Sequence, residues 1–210
     1  MDILESLRQA VADGKAKDAA ARTAEALEAG MSAAVILQQG LIDAMKEVGH
    51  DFEIGEIFVP EMMVAARAMS AALDVLKPRL VSQGVHAIGK VAIGSVQGDV
   101  HDIGKNLVAM MLEGSGYEVV NLGVDVKPSD YVQAIRDGAQ IIAMSALLTT
   151  TMTGMKTVLE AIDEAGLRGQ AHVIVGGAPI TQEFADYIGA DGYSADASGT
   201  VRLVAELLSR

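Results

Sequence analysis

The 210-residue chain is half apolar yet only 3% aromatic, has no Trp and no Cys, and carries a formal net charge of −12. With no basic stripe to neutralise phosphates it argues against nucleic acid, and without Cys it excludes disulfides, thiolate zinc sites and iron–sulfur clusters. No apolar run approaches the ~20 residues of a membrane span, and MDILESLRQAVADGK starts acidic, unlike a signal peptide, so a cytoplasmic protein with no membrane partner is expected.

Residues 1–83 carry helical spacing throughout. Apolar positions recur at three and four: Ile3, Leu4, Leu7 and Val11, then Ala20, Ala24 and Leu27, then Val35, Ile36, Leu41, Ile42 and Met45. Gly14, Gly30 and the stretch GHDFEIGEIFVPE interrupt the pattern, and Pro60 suits the first turn of a fourth helix through MMVAARAMSAALDVL. Eleven Met and many Ala point to helices packed through small, adaptable side chains. A four-helix bundle over residues 1–83 is expected, with Phe58 closing its core. LVSQGVHAIGK, residues 80–90, holds the breakers Ser82, Gly84 and Gly89; residues 84–89 are assigned as the linker.

From Lys90 the rhythm changes. The runs KVAIGSV, YEVVNLG, QIIAMSA, HVIVGG and a weaker DGYSA read as strands, separated by helical patterns starting near Ile103, Pro128, Met152, Thr181 and Ala197. Alternation of this kind predicts a five-stranded parallel, doubly wound sheet over residues 90–210, and thus an α/β protein with a flavodoxin- or Rossmann-like second domain. Ligands of such sheets sit beyond the carboxyl ends of the strands. Asp99 and His101 follow the first strand, Ser145 and Thr149 the third, and Gly176–Gly177 the fourth, so these loops should converge.

A lone His in a turn is usually a solvated or capping residue; three polar residues at one mouth weaken that reading. Gly94-Ser-Val-Gln-Gly98 lacks the spacing of a dinucleotide loop, and no P-loop is present. A phosphoacceptor using Asp99 or Asp102 with Mg²⁺ would want a Lys at a later strand end, and the third to fifth ends offer none. Of His50, His86, His101 and His172 only His101 sits in a well-placed loop, which disfavours a zinc hydrolase; His172, at the start of a strand on the far edge, reads as structural.

The run Gly98-Asp99-Val100-His101-Asp102-Ile103-Gly104, then Ser145-Ala146-Leu147, then Gly176–Gly177 resembles the signature of corrinoid-binding domains. VGHDFEIGEIFVPEMMVAARAM resembles the helical cap of the methyl-transferring branch, which includes the cobalamin-binding module of methionine synthase. The likeness implies a methylated corrinoid, cobalamin or a related cobamide, whose cobalt takes His101 as lower axial ligand. Asp99 matches the carboxylate behind that imidazole, and Thr151 falls where methionine synthase carries a Ser. The displaced nucleotide tail would thread a slot lined by Ser145, Leu147, Thr149, Gly176, Gly177 and Ala197. Gly104 would let the first helix start close to the corrin, and Phe52 and Val59 match residues covering the methyl-bearing face.

The resemblance further implies that the chain carries a methyl group between a substrate:corrinoid methyltransferase and a methylcorrinoid:acceptor methyltransferase, with a reductive activase as a further partner. At this length there is no room for the barrel-type domains that activate donor and acceptor, so the chain is expected to do little catalysis alone. A corrinoid-sensing regulator would add a DNA-binding or output domain, which the acidic N-terminal region does not resemble. A small subunit of an adenosylcobalamin mutase would lack the cap.

Overall fold

The computed structural model describes residues 2–83 and 87–209, so residues 84–86 of the expected linker lie outside the described residues. The chain forms two compact units, Met1–Ile88 with Met110–Gly116, and Gly89–Ala109 with Tyr117–Arg210.

In the first unit α1 (Ile3–Ala12) and α2 (Ala16–Glu28) meet at a turn where Gly14 has φ +68°; a Cβ there would lie 2.5 Å from Val64 Cγ2. α3 (Ala33–Val35), a π-helical segment (Ile36–Ile42) and α4 (Asp43–Glu53) run on as one continuous helix, and α5 (Val59–Ser82) follows. These are the four helical runs that the apolar spacing predicts. Leu7, Val11, Ile36, Leu41, Met62, Met69 and Leu76 are buried in the core, with Ala filling the close approaches.

Three expectations need correction. On α2 the buried stripe is Ala19, Thr23 and Ala26, one residue before Ala20, Ala24 and Leu27; Thr23 tolerates burial because its hydroxyl donates to Ala19 O at 2.9 Å. Ser82 reads as a breaker in the sequence, yet α5 runs through it and past Pro78. Proline deletes one backbone donor, and the buried Leu76 and Leu80 on either side keep the last turns packed. Phe58 does not close the core. It is 66% exposed, because Met62, Ala65 and Ala66 occupy the inward positions of α5. The Phe58 N–H instead donates to Glu61 Oε2 at 2.7 Å, a capping contact at the start of the helix, with Pro60 in the first turn as expected.

In the second unit β1 (Lys90–Val96), β2 (Glu118–Val126), β3 (Ile141–Ser145), β4 (His172–Gly176) and β5 (Gly192–Tyr193) build one parallel sheet in the order β2-β1-β3-β4-β5. The helices between them in the chain are α6 (Ile103–Gly114), whose residues from Met110 onward are counted with the first unit, α7 (Pro128–Arg136), α8 (Thr153–Glu164), α9 (Gln182–Ile188) and α10 (Ala197–Leu208). Every predicted strand and helix start is present to within a residue or so, and the doubly wound α/β class holds. The apolar runs of β1, β3 and β4 are buried, around a core that includes Tyr131, Ile142, Met155, Ile162 and Val173.

The strand order reverses between β1 and β3, which opens a crevice beyond their carboxyl ends. Register sets Ser95, Ser145 and Gly176 side by side at that end. His172 opens β4 at the opposite end of the sheet, where its N–H donates to Gln140 O.

Candidate functional site

Beyond β1 the chain turns at Gly98, whose φ of +85° favours glycine, and the Asp99 N–H returns to Val96 O. Asp99 is fully buried and its carboxylate oxygens carry four donors. Oδ1 accepts from the His101 N–H at 3.0 Å and lies 2.8 Å from His101 Nδ1. Oδ2 accepts from the Leu147 N–H at 2.8 Å and from the Thr151 hydroxyl at 2.7 Å. Burial alone would raise the carboxyl pKa; the donors from Thr151, Leu147 and His101 outweigh it and hold the group well below the usual carboxylate range. Asp99 is therefore an anion in the interior, stabilised by the loops after β1 and β3.

A carboxylate in this state only accepts, so Nδ1 of His101 is the nitrogen that donates to Asp99, and Nε2 is the ring nitrogen not engaged by it. The His101 carbonyl accepts from the buried Ser95 hydroxyl at 2.6 Å, which fixes the backbone as Asp99 fixes the ring. The imidazole itself is 46% exposed. Val100 and Ile103, on the same loop, are 68% and 82% exposed; Leu147 and Leu148, on the loop that holds Asp99, are also exposed. Exposed apolar residues on both loops that hold a tethered nitrogen donor mark a place for a ligand with an apolar face.

The remaining expected site residues are distributed as follows. Asp102 is exposed and accepts from Asn106 Nδ2. A Cβ at Gly104 would meet nothing within 4 Å, so no neighbour in the protein requires glycine there. Ser145 and Gly176 stand in the carboxyl-end row, and a Cβ on Gly176 would lie 3.0 Å from Ser194 O. Gly177 has φ +128°, and its Cβ would lie 1.9 Å from Ala146 O. Its bare Cα thus allows close chain-on-chain packing between the β3 and β4 loops. Thr149 is exposed, and Ala197, in the first turn of α10 behind the Asp196 cap, is 5% exposed. Phe52 is half-buried and Val59 is 38% exposed, both in the first unit.

Sequence reading missed several supports. Ser95 is one, signalled only by a hydroxyl in an apolar strand. Asp125, near the end of β2, accepts from the Gly98 N–H at 2.7 Å and donates its own N–H to Asp99 O. Lys105 is 3% exposed with its ammonium on Asn106 Oδ1 and Asn121 Oδ1, and burial lowers its pKa while Asp102 opposes the shift. Among the described residues no group of three or more His, Asp or Glu side chains is placed to hold a metal ion.

A family model described as a B12 binding domain matches residues 89–202, and a second of the same description matches residues 3–77. The chain belongs to the B12-binding corrinoid-protein family. Trimethylamine corrinoid protein 1 of Methanosarcina mazei is 41% identical over 97% of this chain and 95% of its own. Dimethylamine corrinoid protein 1 of Methanosarcina acetivorans is 40% identical over 99% and 98%. Among solved structures, the methanol:cobalamin methyltransferase complex of Methanosarcina barkeri aligns with a TM-score of 0.89 at 28% identity, covering 99% of this chain and 80% of that one. A cobalamin-binding protein of Desulfitobacterium hafniense aligns at 0.79 and 30%, covering 99% and 98%. Within this corrinoid protein, both matched segments cover the residues singled out above: Phe52 and Val59 fall in the first, His101 and its supports in the second. No described helix is long and apolar enough to cross a membrane.

Proposed function

We propose that this corrinoid protein holds a methylated cobamide with His101 as the lower ligand of cobalt and presents it to two methyltransferases in turn. The observation that carries the reading is His101 itself: a half-exposed imidazole whose Nδ1 is tied to a buried anion and whose Nε2 is left as a single directed donor. One donor suits a metal that brings its other ligands in its own ring, and imidazole suits a transition-metal ion. The residues present fit the group.

When bound, the corrinoid supplies a cobalt centre able to accept and give up a methyl group. The protein supplies the rest. Asp99 fixes the tautomer and orientation of His101, Thr151 and the Leu147 N–H fix Asp99, and Ser95 fixes the His101 backbone. Val100, Ile103, Leu147 and Leu148 offer apolar surface to the ring, and Gly104 keeps the start of α6 free of side chain. Ser145 and Thr149 supply hydroxyls, and Gly176 bare backbone, for the nucleotide tail. Phe52 and Val59, in the first unit, are the residues that the family resemblance would assign to covering the methyl-bearing face. The trimethylamine and dimethylamine relatives make methylated amines the first donor class to assay, with a reductive activase as a further partner.

The deciding experiment is a visible spectrum of His101→Ala reconstituted with methylcobalamin. Retained corrinoid with absorption moved to a water-ligated or base-off form is expected. A spectrum identical to wild type would remove His101 as the ligand.

A further inference from the structure

β2 is irregular at the end that reaches the site. Its pairing with β1 slips twice: Ile93 pairs with Asn121 but Gly94 with Gly123, and Val96 then pairs with Val126. Each slip inserts one extra residue into β2, and each is accompanied by a left-handed residue, Gly123 at φ +90° and Asp125 at φ +52°. Glycine adopts that conformation without cost. Asp125 is the one non-glycine residue with positive φ among the described residues, and such a conformation persists where surrounding contacts hold it.

The contacts are the pair already noted, Gly98 N–H to Asp125 Oδ1 at 2.7 Å and Asp125 N–H to Asp99 O at 2.9 Å. Together they clasp the segment Gly98–Asp99 from the β2 side. Leu147 and Thr151 hold the same Asp99 from the β3 side. Bulges next to functional sites re-aim side chains, and this one turns Asp125 onto the loop that carries His101. Asp99 can orient the imidazole only if the turn that carries it is fixed; the Asp125 carboxylate holds that turn at the Gly98 N–H, and the Asp125 backbone N–H holds it at Asp99 O.

We infer that Asp125 is a positioning residue for cobalt ligation: by clasping Gly98 and Asp99 from the bulged end of β2 it sets the aim of the His101 ring. This inference rests on the proposed ligation by His101. It predicts a specific order among substitutions. Asp125→Asn keeps an oxygen acceptor and a residue type that tolerates the left-handed region, so it should behave like wild type. Asp125→Gly keeps the backbone conformation and removes only the acceptor. Asp125→Ala removes both.

The test uses the full chain loaded with cobalamin, reduced to the cobalt(II) form and examined by electron paramagnetic resonance, with protein made in unlabelled and nitrogen-15-histidine versions. A nitrogen splitting that changes with the label reports histidine on cobalt. Asp125→Gly should lower the ratio of histidine-on to histidine-off cobalt about fivefold, the fold-change carried by one typical hydrogen bond, in protein that still loads fully at saturating cobalamin. Asp125→Asn should restore the wild-type ratio, which a generic structural defect would not do. Should Asp125→Ala fail to fold, Asp125→Gly still decides. A normal wild-type signal left unmoved by Asp125→Gly would overturn this inference alone. No label-sensitive splitting in wild type would overturn the ligation reading and this inference with it.

Discussion

At the residue scale the site is governed by one buried charge. A carboxylate with no exposed surface is tolerable only when its lone pairs are occupied, and Asp99 has donors from three sides: His101, Leu147 and Thr151. Removing one of them leaves a desolvated anion short of a partner. Thr151→Val keeps the shape and deletes the hydroxyl, so it should cost roughly 1–3 kcal/mol, read as a lower urea midpoint of the cofactor-free protein. Thr151→Ser should recover most of the loss, because a hydroxyl is what Asp99 Oδ2 needs. Equal midpoints for Val and Thr would mean that Asp99 does not depend on this bond. The sequence made Asp99, His101 and Thr151 legible because their spacing matches a known pattern. Ser95, Asp125 and Lys105 were not legible in the same way: their roles depend on register slips in β2 and on side-chain direction, which no local pattern encodes.

At the scale of elements, glycines in two places do different work. Gly104 lies in the first turn of α6 with open space where a Cβ would go, although glycine weakens a helix by about 1 kcal/mol relative to Ala. Gly104→Ala should therefore stabilise the cofactor-free protein by a few tenths to about 1 kcal/mol and weaken corrinoid binding, a trade visible by comparing thermal midpoints with equilibrium uptake. Stabilisation with undiminished uptake would show that the corrin does not approach this turn. The loop after β4 divides the two causes between neighbours. Gly177→Ala drives a Cβ into Ala146 O in a left-handed conformation and should prevent stable folding, whereas Gly176→Ala asks Ser194 O to give by only a few tenths of an ångström. Gly176→Ala should stay folded and lose tail binding, measured as a fall in corrinoid affinity. The element pattern was readable almost completely, since buried parallel strands announce themselves as short apolar runs. Two errors were ones of packing: α2 turned by one position because Thr23 satisfies itself, and Phe58 lay outward because capping geometry, which periodicity does not see, governs the residue before a helix; the third was a helix end, since α5 runs through Ser82.

At the scale of the whole molecule, the charge and the relatives bear on the same question. Trimethylamine and dimethylamine corrinoid proteins match this chain over nearly their full length, so the comparison is between molecules of the same extent. A carrier of this kind works by encounter. It must dock with a donor-side enzyme, leave, and dock with an acceptor-side enzyme, so its rate at low concentration is set by association. With a net charge of −12, this chain would be steered by long-range attraction towards a partner that offers a basic docking face, an attraction that salt screens over about 10 Å at 0.1 M. The reconstituted protein alone should transfer no methyl group from a methylated amine to a thiol. With both methyltransferases present, turnover should rise with carrier concentration and saturate. Below saturation the rate should fall severalfold between roughly 0.05 and 0.5 M salt, and the saturated rate should move much less, because screening changes encounter rather than chemistry. A salt-independent rate below saturation would assign docking to uncharged surface instead, such as the exposed Ile54 and Phe58 of the first unit. Methyl transfer by the lone chain would overturn the carrier reading outright.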